Sequence, residues 1–191
     1  MAPEHKTSRE EIIGTALSIV EEGGVSALTA REIGKRLGLS SRPIYSFFPS
    51  MDHLKLQVID EIGQMFKEYL LTSQSEDLFL DMGLGQIRFA REKPVLYRIL
   101  LNEAEKNPFM AYEINNVLVS ELKNHPCYGV LSGPALEDIL LKMGIFTNGL
   151  AEAVLSKTIS DVSDGNILRL LSETGEAVIL RAMQKIEEEG V

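Results

Sequence analysis

Apolar residues recur three and four positions apart along almost the whole chain, which is the spacing of amphipathic helices. The first such run begins at a capping box, formed by Thr7 with Glu10 or by Ser8 with Glu11, and Gly23 follows its last turn. Its apolar positions are Ile12, Ile13, Ala16, Leu17 and Val20. Alternation typical of strands and turn pairs typical of hairpins are scarce. The pattern therefore predicts an all-α fold.

The next two predicted helices are short and close together. The first begins at a second capping box, Thr29–Glu32, and Gly38 stands just past its end. The second is capped by Ser40 or Ser41 and runs to about residue 47. Pro43 lies in its first turn, where a missing N–H costs little. Two short helices joined by a tight turn are typical of a helix-turn-helix.

Longer helices follow, beginning with a fourth one over 51–69 that Ser50 caps after Pro49. The ranges predicted for the others are 77–92, 94–104, 108–124, 134–156 and 164–188. We expect a three-helix DNA-binding domain of the helix-turn-helix type over 1–50. A larger helical domain for ligand binding and dimerisation is expected over 51–191.

The helix-turn-helix lies within residues 28–54, and its second helix is the element that enters the major groove in such proteins. The exposed face of that helix is predicted to carry Ser41, Arg42, Tyr45 and Ser46. Hydroxyls and a guanidinium suit hydrogen bonding to base edges and phosphates. These residues are therefore candidate DNA contacts.

The net charge of −9 changes this picture less than its size suggests. Residues 1–55 hold seven Lys/Arg and seven Asp/Glu residues, whereas residues 56–191 hold twelve and twenty-one. Binding to phosphates needs cations. Because the acidity belongs to the C-terminal part, the cations of the neutral N-terminal part can still cluster on one face.

The same stretch resembles the DNA-binding signature of the TetR family of transcriptional regulators. The matching residues are Thr29, Arg31, Glu32, Ile33, Leu37, Gly38, Ser40, Tyr45, Phe48, Ser50 and Leu54. The match is dense and ungapped and covers about the first third of the chain. A weaker likeness continues in the number and length of the later helices.

The resemblance implies a role for each matching DNA contact. Thr29 and Arg31 would lie near phosphates at the start of the second helix, although Arg31 could instead pair with a nearby glutamate. Ser41, Arg42 and Pro43 would approach bases in the major groove. The hydroxyl of Tyr45 would donate to a phosphate. Ser40, in the turn, and Ser46, on the exposed face, complete the predicted set.

Three positions depart from the family pattern. Phe47 stands where a Tyr or His is usual, and Met51 stands where a Lys is usual. Each lost phosphate contact should weaken DNA binding and reduce its salt dependence by about one unit of slope. Gly34 stands where alanine is typical, and glycine is about 1 kcal/mol less favourable than alanine in a helix.

The C-terminal part is rich in Met and aromatic residues, whose default interpretation is core packing. The resemblance implies a ligand cavity among the middle helices, and such residues also suit adaptable pockets. The candidate lining residues are Phe89, Tyr97, Met143 and Phe146. They indicate a small, mainly apolar effector.

The last two helices are predicted to form a dimer interface, because their apolar arc is wider than one packed face needs. The candidate interface residues are Gly149, Ala153, Leu171 and Val178. TetR-like proteins dimerise through two late helices of each subunit. A two-fold homodimer would read a palindromic operator with half-sites about 34–36 Å apart.

Several classes of protein find no support in the sequence. We expect no secretory signal, no membrane span and, with Cys127 as the single cysteine, no disulfide framework, which favours the cytoplasm. The three histidines lack the spacing of a metal site, and neither a nucleophile–base pair nor a cofactor motif indicates an enzyme. The sequence thus predicts a homodimeric, ligand-responsive repressor that binds double-stranded DNA. The alternative is a TetR-fold interaction protein with weakened or lost DNA binding.

Overall fold

A computed structural model describes residues 7–72, 75, 77–106 and 108–189. Over these residues the chain forms nine α-helices and no strand, which confirms the predicted all-α fold. The helices are α1 Arg9–Gly23, α2 Ala30–Leu37, α3 Arg42–Phe47, α4 Met51–Leu71, α5 Leu78–Glu92, α6 Pro94–Lys106, α7 Pro108–Asn124, α8 Gly133–Leu155 and α9 Asp164–Glu189.

The predicted helix ends agree with these bounds to within two residues. Of the two capping boxes proposed for α1, Ser8 supplies the cap, since its Oγ accepts a hydrogen bond from the Glu11 N–H at 3.1 Å. Ser50 caps α4 in the same way through the His53 N–H, also at 3.1 Å. One element was not predicted, a single turn of 3-10 helix over Val25–Ala27.

The described chain divides into two compact units. The first unit holds the residues up to Met65 together with Val95–Lys106. Its core is built from the apolar positions of the helical pattern. The buried apolar residues from α1 to Met65, loops included, are Ile12, Ala16, Ile19, Val20, Leu28, Ala30, Ile33, Ile44, Phe48, Leu54, Val58 and Ile62.

The second unit holds Phe66–Pro94 and the residues after Lys106. In it α5, α8 and α9 pack against one another, and α7 packs on α8. Its core cluster comprises Phe79, Met82, Leu122, Tyr128, Leu131, Leu136, Ile139 and Met143. The α5 backbone approaches the end of α4 so closely that a Cβ at Gly85 would lie 2.1 Å from the Tyr69 carbonyl oxygen.

Helix α4 runs through the boundary between the units, since Met65 belongs to the first and Phe66 to the second. The domains expected at 1–50 and 51–191 stay a prediction about which residues carry which activity. Among the described residues, no helix is both long and apolar enough to cross a membrane.

Candidate nucleic-acid interface and ligand cavities

The turn between α2 and α3 is fixed at both ends by its sequence. Thr29 caps α2, its Oγ1 accepting from the Glu32 N–H at 3.1 Å. Gly38 ends the helix in the left-handed region, with φ 69° and ψ 28°, a conformation that glycine adopts without strain. The Leu39 N–H then donates to the Gly34 carbonyl at 2.7 Å. These bonds set the direction in which α3 leaves α2.

Gly34 lies in α2 directly against this turn and is not simply a weak helix former. A Cβ added there would lie 2.6 Å from the backbone carbonyl oxygen of Leu39. Real Cβ atoms essentially never approach so closely. The departure from the alanine of the family pattern therefore has a steric reason: the turn packs directly against the α2 backbone at Gly34.

The predicted DNA contacts on and beside α3 differ in their exposure and in their hydrogen bonds. Arg42 and Tyr45 are exposed, and 49% of Tyr45 is accessible. Pro43 lies in the first turn and is half-buried. Ser41 occupies the N-cap position but makes no capping hydrogen bond with its side chain. Its hydroxyl is thus not committed to the helix end.

The other two serines of the set differ from each other. The Ser46 hydroxyl donates to the Pro43 carbonyl at 2.6 Å, so that its proton is already used within α3. Ser40 is exposed in the turn. Ser40 remains available as a donor, whereas Ser46 can offer a ligand only its oxygen lone pairs while this bond persists.

The cations of the helix-turn-helix fall into paired and unpaired groups. Arg36 forms a two-point contact with Glu22, Nη1 to Oε1 at 2.8 Å and Nη2 to Oε2 at 2.7 Å, and its Nε donates to Glu32. This hydrogen bond from Arg36, followed by one from Ser18, lowers the pKa of Glu22 below its ordinary value. Arg36 therefore fastens α2 to α1.

Arg31 and Arg42, by contrast, are exposed and form no hydrogen bond or ion pair with any residue that the structure describes. The glutamate pairing considered for Arg31 is thus not formed, because Glu32 is engaged by Arg36 and by Lys35, 3.8 Å away. Two uncompensated guanidinium groups at the starts of α2 and α3 are suited to phosphates or base edges.

The two positions that lack the family's polar groups lie close to α3. Phe47 is 41% exposed in its last turn, and Met51 is half-buried at the start of α4. The neighbouring Phe48 is fully buried, with the Arg9 guanidinium 5.2 Å from its ring centroid. Arg9 also donates to Gln57 on α4. Phe48 thus fixes the helix end, while Phe47 presents an apolar ring to solvent.

The four candidate ligand-lining residues do not share one cavity wall, although two of them meet in one cluster. Met143 belongs to the core cluster of the second unit, and Phe146 packs against that cluster. Phe89 is fully buried between Phe66 and Tyr69, with ring centroids 5.2 and 5.1 Å away. Tyr97 is buried in the first unit.

Space beside Met143 is small. A cavity of about 40 Å³ lies among α5, α8 and α9, lined in part by Phe79, Gly83, Met143 and Gly175. Such a volume holds a few water molecules at most. An effector in this position would require the surrounding side chains to move.

A much larger cavity, of about 500 Å³, lies between the C-terminal half of α5 and the first turn of α9. Its lining residues are Leu84, Ile87, Arg88, Arg91, Glu92, Asp164, Gly165, Ile167 and Leu168. None of these was predicted from sequence. The available signal was weak, since Arg88 and Arg91 follow ordinary helical spacing on an amphipathic helix that also carries Asp81, Gln86 and Glu92.

The candidate dimer residues divide into two that pack in the core of the second unit and two on a more accessible face. Leu171 is only 2% exposed and packs near Gly83 in its own unit, and Val178 packs against the core cluster. Gly149 is exposed on α8, and Ala153, one turn later, is half-buried. The former pair therefore serves the core, whereas Gly149 lies on an accessible face.

That face of α8 carries two large apolar side chains that were not singled out from the sequence. Leu141 and Ile145 are 63% and 66% exposed, and with Gly149 they follow one another at intervals of four residues. Residues at this spacing share one side of a helix. On α9, Leu180 is similarly exposed. The signal was the width of the apolar arc of α8, whose opposite face is already buried.

The geometry of α1 to α3 defines a helix-turn-helix protein of the DNA-binding class, and comparison gives the family. The profile of the bacterial regulatory proteins of the tetR family matches residues 12–58. The matched range extends from α1 into α4 and includes every predicted DNA contact. The match thus assigns residues 12–58, and with them the helix-turn-helix, to the DNA-binding segment of that family.

Individual relatives are distant. The nucleoid occlusion factor SlmA of Haemophilus ducreyi is 24% identical over 105 residues, and the match covers 52% of this chain and 52% of that protein. The chain thus spans about half the length of the curated relative that it matches.

Solved structures resemble the chain over most of its length. A TetR variant from Acinetobacter baumannii AYE, solved in complex with minocycline, has a TM-score of 0.60 at 15% identity, and the match covers 94% of this chain and 98% of that one. A TetR family transcription regulator from Marinobacter aquaeolei VT8 has a TM-score of 0.62 at 19% identity, covering 88% and 94%. At such identities the likeness shows the fold.

Proposed function

We propose that this protein is a homodimeric transcriptional regulator that binds a palindromic DNA operator and releases it, as a repressor, in response to a small ligand. The observation that carries the proposal is the state of α2 and α3. Arg31 and Arg42 are exposed and unpaired by the described residues, beside the exposed Tyr45. Because the chain is acidic overall, the retention of free guanidinium groups there favours a phosphate-binding surface.

Dimerisation is proposed through α8 and α9, which pack together in the second unit. The exposed Leu141, Ile145 and Gly149 on α8 and Leu180 on α9 would become buried. A two-fold axis would place two copies of α3 in successive major grooves, about 34–36 Å apart. The operator should then be a palindrome.

Ligand response is proposed to act through α4, which is continuous from Met51 to Leu71. A ligand shifts the equilibrium between two arrangements only if it binds one of them more tightly. A structural neighbour solved with minocycline supports a small molecule as the class of effector. Displacement of α4 by the ligand would alter the distance between the two α3 helices of the dimer.

The experiment is selection of the purified protein on a randomised duplex library at two salt concentrations, followed by sequencing. Enrichment of a palindrome with half-sites about one helical turn apart is expected. Absence of enrichment at low salt would contradict the proposal. The matched control is a doubly substituted protein, Arg31→Ala with Arg42→Ala, which should enrich nothing.

The second candidate is an interaction protein that keeps this fold with weakened or lost DNA binding. It is favoured by one observation, the exposed apolar ring of Phe47 on the face that would meet DNA. The same selection distinguishes the two functions. Recovery of enrichment only after Phe47→Tyr and Met51→Lys would support the second candidate.

A further inference from the structure

The large cavity between α5 and α9 has the size of a small-molecule site. Its volume of about 500 Å³ falls within the roughly 300–1,000 Å³ typical of ligand pockets. Leu84 and Ile87 on α5 face Ile167 and Leu168 on α9 across it, so that much of the wall is apolar. All of its lining residues belong to the second unit.

Most of the charged groups in this cavity are already paired. Arg91 donates to the Asp164 carboxylate and to the Val162 carbonyl, and so ties the end of α5 to the start of α9. Glu92 accepts a hydrogen bond from the Tyr69 hydroxyl at 2.6 Å. Arg91, Asp164 and Glu92 therefore already have polar partners and do not need a ligand to supply one.

Arg88 is the exception. Its Nε is buried and forms no hydrogen bond with any residue that the structure describes. Its guanidinium carbon lies 4.8 Å from the centroid of the Tyr69 ring, a cation–π contact that neutralises no charge. No described carboxylate forms an ion pair with it. A partly desolvated cation without a counter-charge is costly unless a ligand supplies one.

We propose that this cavity binds a small organic carboxylate with an apolar body, and that Arg88 binds the carboxylate. The planar guanidinium matches the two oxygens of a carboxylate, while Leu84, Ile87 and Ile167 contact the apolar part. A wholly apolar ligand would leave Arg88 unpaired. A multiply charged anion such as a phosphate would find only the single unpaired charge of Arg88 among the described lining residues, and Glu92 in the same wall would repel its excess charge.

Binding at this cavity would also reach α4, and this part of the inference rests on the proposed function. Arg88 stacks on Tyr69, which lies in the last turns of α4. A carboxylate that draws the guanidinium away from the Tyr69 ring removes a contact between α5 and α4. Ligand binding would therefore shift the equilibrium between arrangements of α4.

The test is calorimetric titration of the full chain, without DNA, with three carboxylates and their primary amides. The probes are 4-phenylbutanoate, indole-3-acetate and decanoate, each paired with its own amide. At least one carboxylate should bind about tenfold or more tightly than its amide, as expected for a charge-assisted hydrogen bond. Arg88→Met should abolish this preference, and Arg88→Lys should retain part of it.

The matched control is Arg169→Met, which removes the same charge from α9 at an exposed arginine paired with Glu173. It should leave the preference unchanged. If Arg88→Met does not fold, Leu168→Glu provides a second test, because it places a carboxylate at the accessible edge of the cavity. It should weaken binding of the carboxylate about tenfold more than binding of the matching amide.

Two results would overturn the inference: equal binding of every carboxylate and its amide by the wild-type chain, or undiminished preference in both Arg88→Met and Leu168→Glu. Neither result concerns DNA, so a protein that fails this titration and still selects a palindrome retains the proposed function. Conversely, carboxylate binding by a protein that selects no DNA would support the cavity alone.

Discussion

Both Nη atoms of Arg36 contact the Glu22 carboxylate, at 2.8 and 2.7 Å, and so join α2 to α1. The contact uses the fork geometry in which Arg and carboxylate groups match best. It also removes Arg36 from the set of cations available to DNA. Acid should weaken this contact, because protonation removes the charge of the Glu22 carboxylate.

Glu22→Gln should reduce the acid sensitivity of unfolding. The Arg36 hydrogen bond lowers the pKa of Glu22 in the folded chain, so the stabilisation is present above the unfolded pKa of about 4.3 and is lost as the pH falls through the folded value. The wild type should lose more thermal stability than the variant between pH 6 and pH 3. Glu61→Gln, at an exposed carboxylate on α4, is the control and should follow the wild type.

Gly34→Ala should destabilise the fold by about 1–3 kcal/mol, the usual cost of overpacking. Helix propensity alone would predict a gain of about 1 kcal/mol. The added Cβ would, however, lie 2.6 Å from the Leu39 carbonyl oxygen. Gly14→Ala is the matched control, because nothing lies within 4 Å of its Cβ, and it should stabilise α1. Urea unfolding of both variants measures whether each substitution raises or lowers the free energy of unfolding. A Gly34→Ala protein more stable than the wild type would show that the turn moves to accommodate the added Cβ.

The helical pattern was sufficient for the fold because each helix has a local signal at its start, as Thr29 and Ser50 illustrate. It was insufficient where the outcome depends on distant partners. The spacing of Leu171 and Val178 is typical of a helix face, as is that of Leu141 and Ile145. Packing nevertheless buries Leu171 and partly buries Val178, whereas Leu141 and Ile145 are exposed. The steric role of Gly34 and the unpaired state of Arg88 likewise depend on neighbours in space.

Arg42→Ala should weaken binding to the selected operator by about 1–3 kcal/mol and broaden the sequences accepted. Arg31→Ala should instead lower the affinity for all duplexes and reduce the salt slope by about one. Titrations at several salt concentrations, on operator and on scrambled duplex, separate the two effects. An Arg42→Ala protein with unaltered selectivity would rule out base contact by that residue.

Met51→Lys should strengthen DNA binding and raise the magnitude of the salt slope by about one, because it restores a cation at the start of α4. Met51→Gln, polar but uncharged, is the control for side-chain volume and should leave the slope unchanged. The measurement is fluorescence anisotropy across a salt series. An unchanged slope in the Lys variant would place residue 51 away from the DNA backbone.

Ile145→Glu should shift the chain from dimer to monomer, since it places a charge in the centre of the exposed stripe of α8. Val130→Glu is the control, an equally exposed apolar residue outside that stripe, at 71%. Sedimentation at several concentrations reports the change. A dimer that survives Ile145→Glu, or a monomeric wild type, would contradict the proposed interface.

Tyr69 is held by successive turns of α5: its carbonyl faces Gly85, its ring meets Arg88 and Phe89, and its hydroxyl donates to Glu92. These positions recur at intervals of three and four residues, so a single face of α5 holds one tyrosine from backbone to hydroxyl. The last turns of α4 are consequently fixed to α5 and should move with it. Under the proposed function, changes at Leu84 or Ile87 would alter which ligand the α5 cavity accepts, whereas changes at the four positions that hold Tyr69 would remove the link between that cavity and α4.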